Sequence, residues 1–300
     1  MASNQIVKLL GVLFLVIGIA YFSGAFEEAP STMDLPVVKV DIAAVNRIEI
    51  ISPLHTIVTE KTASAWQMTQ PVQWPADTLA ISTFLDQLTE LRLKSVVAIS
   101  PDRYERYGVD SSAYVIRLTE GNVEHEITMS PNGPEFSTVY IRIGGDERVF
   151  TASPRLSIPY AVALWRDKRI LSLAPVSVLS ATVSTPDELY TVLRTSSGKG
   201  WVIRQSGSNT PSDSVAVSRW LTRFMSLKVD GFLNEDTEYA DPTHFIEFQL
   251  VDGTSLRLDA TREETRFVLT KGPGDDTIYY FIASRAEPLF PSSETLLKSE

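Results

Sequence analysis

Cysteine is absent from this chain, and with it go disulfides, iron–sulfur clusters, thiolate zinc sites, cysteine catalysis and a lipidated N-terminal cysteine. Histidine is scarce: His55, His125 and His244 each stand alone, and no His-Glu-x-x-His occurs. His125 sits between Glu124 and Glu126, but neighbours on a strand point to opposite faces and cannot grip one ion. Nucleophile motifs are missing too. There is no Gly-x-Ser-x-Gly, and the Ser-x-x-Lys at Ser196 to Lys199 lacks its supporting motifs. Ser197-Gly198-Lys199-Gly200 lacks the upstream Gly and the following Ser/Thr of a phosphate loop, and reads as a turn. The acidic turns Asp252-Gly253 and Gly274-Asp275-Asp276 lack the spacing of a calcium loop, and Glu235-Asp236 and Glu263-Glu264 read as solvated surface. Neither a cofactor nor a metal is expected. No basic run is present: 27 Lys and Arg stand against 37 Asp and Glu, a charge of −10 that argues against nucleic acid as a partner.

What is present is an ordinary globular composition, 44% hydrophobic and 21% charged over 300 residues. It is preceded by one long apolar run. From Leu9 to Phe26 no residue is charged, and Leu9, Leu13, Phe14, Ile17, Tyr21 and Phe22 are the large side chains expected to meet lipid. Eighteen helical residues rise about 27 Å, close to the hydrocarbon thickness of a bilayer. Lys8 precedes the run and Glu27-Glu28 follow it, so the positive-inside tendency puts the N-terminus in the cytoplasm and the bulk of the chain outside. The expectation is a single-pass anchor in the inner (plasma) membrane at 1–26, a tether at 27–36, and an extracytoplasmic or periplasmic remainder. A cleaved signal peptide is the alternative, since Ser23-Gly24-Ala25 offers small residues.

Beyond the tether the chain repeats itself. Trp66-Gln67-Met68, Pro75-Ala76-Asp77 and the stripe Ile81, Phe84, Leu85, Leu88, Leu91 recur as Trp201-Val202-Ile203, Pro211-Ser212-Asp213 and Val217, Trp220, Leu221, Phe224, Leu227. Both stripes follow i, i+3, i+4, i+7, i+10, one face of a helix, with a capping Asp just upstream. Tyr107 aligns with Tyr239, Tyr114 to Leu118 and Gly121 with Ile246 to Leu250 and Gly253, and Val149 to Ser153 with Tyr280 to Ser284. Strands, one helix and a meander predict an α+β unit, an antiparallel sheet with one packed amphipathic helix, present twice in tandem: 37–157 and 176–286. Residues 158–175 read as an interdomain connection with a solvated helix face, and 287–300 as a C-terminal tail or a terminal helix packing on the second unit.

An apolar N-terminal helix, a Trp followed by Pro-x-Asp and a helix, Tyr-Gly-Val-Asp at 107–110 and Trp-Arg-Asp-Lys-Arg at 165–169 resemble the bacterial domain-of-unknown-function 4340 family over about residues 40 to 290. The resemblance implies a membrane-anchored, extracytoplasmic α+β protein associated with ABC-type transport systems, including those resembling gliding-motility transporters. It implies no catalytic residues.

The residue types that dominate interface hot spots gather at Arg103, Tyr104, Arg106 and Tyr107, and again at Trp165, Arg166 and Arg169, which are the candidate partner-binding surface. The expected function is a non-enzymatic accessory or scaffold protein that contacts the lipid bilayer and binds a membrane or envelope protein, of the ABC-type transporter class. The alternative is a binding module for a glycan, peptide or lipid with its site between the two units.

Overall fold

Period-two apolar patterns broken by turn residues become strands along almost the whole chain. The computed structural model describes residues 35–297 apart from 38, 64, 160, 199, 234–240 and 273–275. The anchor expected at 9–26 lies outside the described residues, as do Lys199, Glu235-Asp236, Tyr239 and Gly274-Asp275. Among the described residues no helix is long and apolar enough to cross a membrane.

The chain divides into two compact units, the first ending at Trp165 and the second beginning at Arg166. The first runs β1 (Val45–Ile51), β2 (Thr56–Lys61), β3 (Trp66–Gln70), β4 (Trp74–Pro75), α1 (Thr78–Glu90), β5 (Arg92–Ala98), α2 (Tyr104–Tyr107), β6 (Tyr114–Glu120), β7 (Val123–Met129), β8 (Val139–Ile143) and β9 (Val149–Ser153). The second runs β10 (Arg169–Leu171), β11 (Val178–Ser184), β12 (Leu189–Arg194), β13 (Trp201–Gln205), β14 (Ser208–Pro211), α3 (Ser214–Thr222), β15 (Leu227–Lys228), β16 (Gly231–Phe232), β17 (His244–Leu250), β18 (Ser255–Arg262), β19 (Arg266–Thr270), β20 (Tyr279–Ile282) and α4 (Ala283–Ala286). Each unit forms a nine-stranded antiparallel sheet, in the orders β4-β3-β2-β1-β6-β7-β8-β9-β5 and β14-β13-β12-β11-β17-β18-β19-β20-β16. The two orders coincide place by place. Even an irregularity repeats: β1 against β6 slips between Val45 and Arg47, and β11 against β17 slips between Val178 and Ser180.

The ladders correct two details of the sequence alignment. In the last strands Ile141 faces Phe150 and its counterpart Leu269 faces Tyr279, so 149–153 corresponds to 278–282, not 280–284. The first hairpin strands are shifted likewise. Ile50 faces Ile116, and Val183, in the corresponding place of β11, faces Ile246. Ile116 and Ile246 are therefore equivalent, and so are Tyr114 and His244. Aligning the turn glycines is two residues out because the second hairpin is longer: Glu120 pairs directly with Val123, whereas Gln249 pairs with Ser255. A two-residue shift keeps every side chain on its face, so the apolar pattern cannot reveal it.

Helix α1 starts where the Asp77 carboxylate accepts hydrogen bonds from the Leu79 and Ala80 amides at 2.9 and 3.2 Å. Its Ile81, Phe84, Leu85 and Leu88 join Ile48, Ile50, Ile116, Leu118, Ile141 and Phe150 of the sheet in one buried cluster. Helix α3 starts in the same way, with Asp213 accepting from the Val215 amide at 2.8 Å. It is shorter than its stripe suggests. After Thr222 the chain tightens into turns, Arg223 N–H to Trp220 and Phe224 N–H to Leu221, so Phe224 and Leu227 reach the core from a turn and a strand.

The chain up to Trp165 closes the first unit rather than connecting the two, and the C-terminal segment packs on the second unit, in short 3-10 turns, in the matching way. In the first, Trp165 is fully buried, its indole donates to the Pro159 carbonyl at 2.6 Å, and its ring meets Phe84 edge-on at 5.4 Å. Its carbonyl accepts the Asp77 N–H at 2.8 Å. In the second, the Leu296 carbonyl accepts the Asp213 N–H at 2.8 Å, while the Leu289 carbonyl accepts the Trp220 indole N–H and the Pro291 carbonyl the Tyr190 hydroxyl. Among the described residues of 158–175 there is a 3-10 turn at Val162–Leu164 leading to Trp165, and a strand, β10, that pairs with β15, in place of the expected solvated helix.

Because Trp165 fills the core beneath α1, Trp165→Ala lowers stability by about 3–5 kcal/mol, while Leu164→Ala, at an exposed neighbour, stays within about 0.5 kcal/mol. Denaturant midpoints of the two variants check this; equal shifts would show that the segment does not close the unit.

Candidate binding groove

The predicted surface residues separate on inspection. Tyr104 and Tyr107 turn toward the sheet from α2, whose end is set by Gly108 at φ +61°, a conformation that favours glycine. The Tyr107 hydroxyl donates to the Val97 carbonyl at 2.9 Å and its ring meets Tyr140 at 4.9 Å. The Tyr104 hydroxyl donates to the Glu147 carbonyl at 2.9 Å, and Arg142 lies 4.3 Å over its ring. Both tyrosines pack a small second cluster with Ala98, Val109 and Val149. Arg103 and Arg106 are exposed, Arg103 beside Asp102 at 3.4 Å and Arg106 at 5.8 Å from the Tyr107 ring. Of the second set, Trp165 offers no surface, a correction that follows from its place in the first core. Arg166 lies 3.6 Å over the Phe232 ring, and exposed Arg169 pairs with Asp167 at 2.9 Å. The four charges after Trp165 are thus largely engaged within the second unit. Arg103 and Arg106 are the exposed remnant of the first set.

The histidines do not converge. His125 Nε2 lies 2.9 Å from Glu120 Oε2, and His244 Nδ1 lies 2.8 Å from the Thr243 hydroxyl. Among the described residues no three metal-ligating side chains come together. Asp252 and Asp110 have their pKa held below the usual carboxylate range by the hydroxyl and amide of the Thr254 and Ser112 that they cap, which is turn chemistry.

A groove of about 590 Å³ in the first unit is the more developed feature. It is lined by Met129, at the end of β7, and Leu156, both buried, and by Tyr114, Ile158, Pro131 and Pro154. Phe136, also in the lining, is 95% exposed. That ring belongs to the connection 130–138 between β7 and β8, nine residues where the second unit has only the three of 263–265. The connection is tied to itself. Ser130 Oγ donates to the Asn132 carbonyl at 2.6 Å, Thr138 Oγ1 accepts from the Glu135 amide at 3.1 Å, and a β-carbon on Gly133 would collide with the Thr138 carbonyl. Phe136 is therefore held out by a built loop, a costly arrangement for a large apolar ring in water unless something covers it. Neither its isolated position in sequence nor its loop distinguished it; the one available signal was the extra length between strands otherwise matched in the two copies.

The second unit has a smaller pocket in the corresponding place, about 250 Å³, lined by His244 from the start of β17, Arg262 and Phe267, and by Glu287, Phe290 and Ser292 of the closing segment. Here the space is filled from within. Phe290 stacks on Phe267 at 5.7 Å and 10°, and His244 meets the two rings edge-on at 5.3 and 5.2 Å. Arg262 pairs with Glu287 at 2.7 Å.

Residues 66–244 match the family model described as Domain of unknown function (DUF4340). The chain belongs to this family. The DUF4340 match opens on the Trp66 that begins β3 and closes on the His244 that begins β17, so it spans the boundary between the two units. No curated protein matches the chain. In this DUF4340 member the corresponding pockets of the two units differ in chemistry, one larger and mostly apolar, the other smaller and occupied by Phe290 and the Arg262–Glu287 pair.

Burial, reinforced by the Arg262 charge and opposed by Asp187, holds the His244 imidazole below its ordinary pKa. The folded state then favours the neutral ring, so its contribution is complete above the unfolded value of about 6.5 and is lost as pH falls through that value. Melting midpoints between about pH 7.5 and 5.5 fall more steeply for the wild type than for His244→Gln; identical slopes would show that His244 is not the group responsible.

Proposed function

We propose that this protein is a membrane-anchored, extracytoplasmic accessory protein that holds a partner protein in the open groove of its first unit, the partner belonging to an ABC-type transport or envelope assembly. The observation that carries the reading is Phe136, 95% exposed in the lining of an apolar groove, on a connection that the second unit lacks. Exposed aromatic rings beside a concave apolar floor are the chemistry of protein contact sites, and a functional loop set on a rigid sheet is the usual way to present one. The uncharged run from Leu9 to Phe26 supports the anchor, and the acidic balance of the chain, 37 Asp and Glu against 27 Lys and Arg, disfavours a polyanionic partner. DUF4340 membership is consistent with such a role and assigns no chemistry of its own.

The full-length chain should pellet with membranes and resist alkaline extraction, and removal of residues 1–26 should release it. Affinity capture from detergent-solubilised membranes should recover the same envelope protein repeatedly, and Phe136→Asp should reduce its yield about tenfold, the effect of some 1.4 kcal/mol at the contact. Recovery that is absent, or indifferent to Phe136→Asp, would remove the basis of this reading.

A further inference from the structure

Resting on that reading of the groove as a contact site, the structure assigns it a specific occupant: we infer that it takes an aromatic side chain together with a nearby carboxylate from a segment of the partner protein. The second unit supplies the template. At the corresponding place its own closing segment inserts Phe290 against Phe267 and His244 and, three residues earlier, offers Glu287 to Arg262 at 2.7 Å. One short piece of chain thus delivers both a ring and an acid.

In the first unit the closing segment places Leu156 and Ile158 at the groove and no aromatic ring, and the space left is about 590 Å³ against about 250 Å³. Tyr114, equivalent to His244 by the ladders, lines it in the same way. A cation is present as well. Arg155 is exposed on the rim, where one of its Nη atoms donates to the Pro131 carbonyl at 2.7 Å, and among the described residues no carboxylate pairs with it. It shares this with Arg194, whose guanidinium is also spent on backbone carbonyls, whereas its counterpart at the pocket of the second unit, Arg262, holds Glu287. The cation sits on the closing segment here and on β18 in the second unit, so the occupant's acid approaches from the other wall. An apolar lining, an exposed ring and a guanidinium that among the described residues has no carboxylate partner complement a ring and a carboxylate on one segment. A lipid tail would leave Arg155 without its counter-charge, and a polycation would be repelled by it.

The test uses the full-length chain with the substitution Phe136→p-benzoylphenylalanine, irradiated in isolated membranes. The expected adduct is to another protein, at a segment carrying Phe, Tyr or Trp within about four residues of Asp or Glu, one helical turn. Adding the hexapeptide Ala-Glu-Pro-Leu-Phe-Pro, copied from residues 286–291, should lower the adduct about tenfold, and its Glu→Gln and Phe→Ala forms should not. Arg155→Glu should lower the adduct by a similar factor while Arg155→Lys retains most of it; both positions are exposed and unchanged melting curves confirm folding. An adduct with lipid or with a second copy of this chain, no adduct, a segment without the ring and acid, or indifference to Arg155→Glu each overturns the inference. If Phe136-dependent capture persists through any of these, the partner-binding reading stands and only the occupant is wrong; if capture itself fails, both fall.

Discussion

Each unit is closed at one point, the backbone N–H of the aspartate that caps its helix. The carboxylate of Asp77 or Asp213 binds the first free amides of the helix, while its own amide binds a carbonyl at the far end of the unit, Trp165 or Leu296. A capping side chain is ordinarily a local device that satisfies groups a helix leaves unpaired. Here the same residue also ties the closing segment to the helix start, so the position of the helix over the sheet and the end of the unit depend on one another. Trp165 against Phe84, and the Trp220 indole on the Leu289 carbonyl, reinforce that joint from the apolar side.

With the frame so constrained, the two units could diverge at their rims without losing their sheets. The strand order, the slip near Val45 and Val178, and the Asp caps are the same in both. The differences lie in connections: nine residues against three between the third and second strands from one edge of the meander, and a closing segment that carries Phe290 in one copy and Ile158 in the other. The second unit packs Phe290 against Phe267 and His244 from within, whereas the closing segment of the first unit brings no aromatic ring to the corresponding groove.

The helix stripes, the capping aspartates and the paired tryptophans were legible in the sequence because each depends on local periodicity or on a single side chain meeting nearby backbone. Trp66 and Trp201 are both buried, as their equivalence suggests. Trp165 was misread as surface because a run of charges follows it, and composition does not say which residue of a short segment turns inward. The tyrosines at 104 and 107 look like hot-spot residues, yet their hydroxyls donate to the Glu147 carbonyl, far along the chain, and to the Val97 carbonyl of the preceding strand, acceptors that composition does not reveal. Phe136 was invisible for the opposite reason: a lone ring in a polar, proline-containing loop looks ordinary until its exposure is known.

By itself the sequence determined the family, the duplication, the α+β character and the apolar N-terminal run, since all four are matters of order and period along the chain. The tertiary structure decided where the units end, which strands occupy the sheet edges, and which aromatic residues face water. Those depend on pairings between residues more than seventy positions apart, Asp77 with Trp165 and Asp213 with Leu296, and no local pattern records the partner of a backbone hydrogen bond.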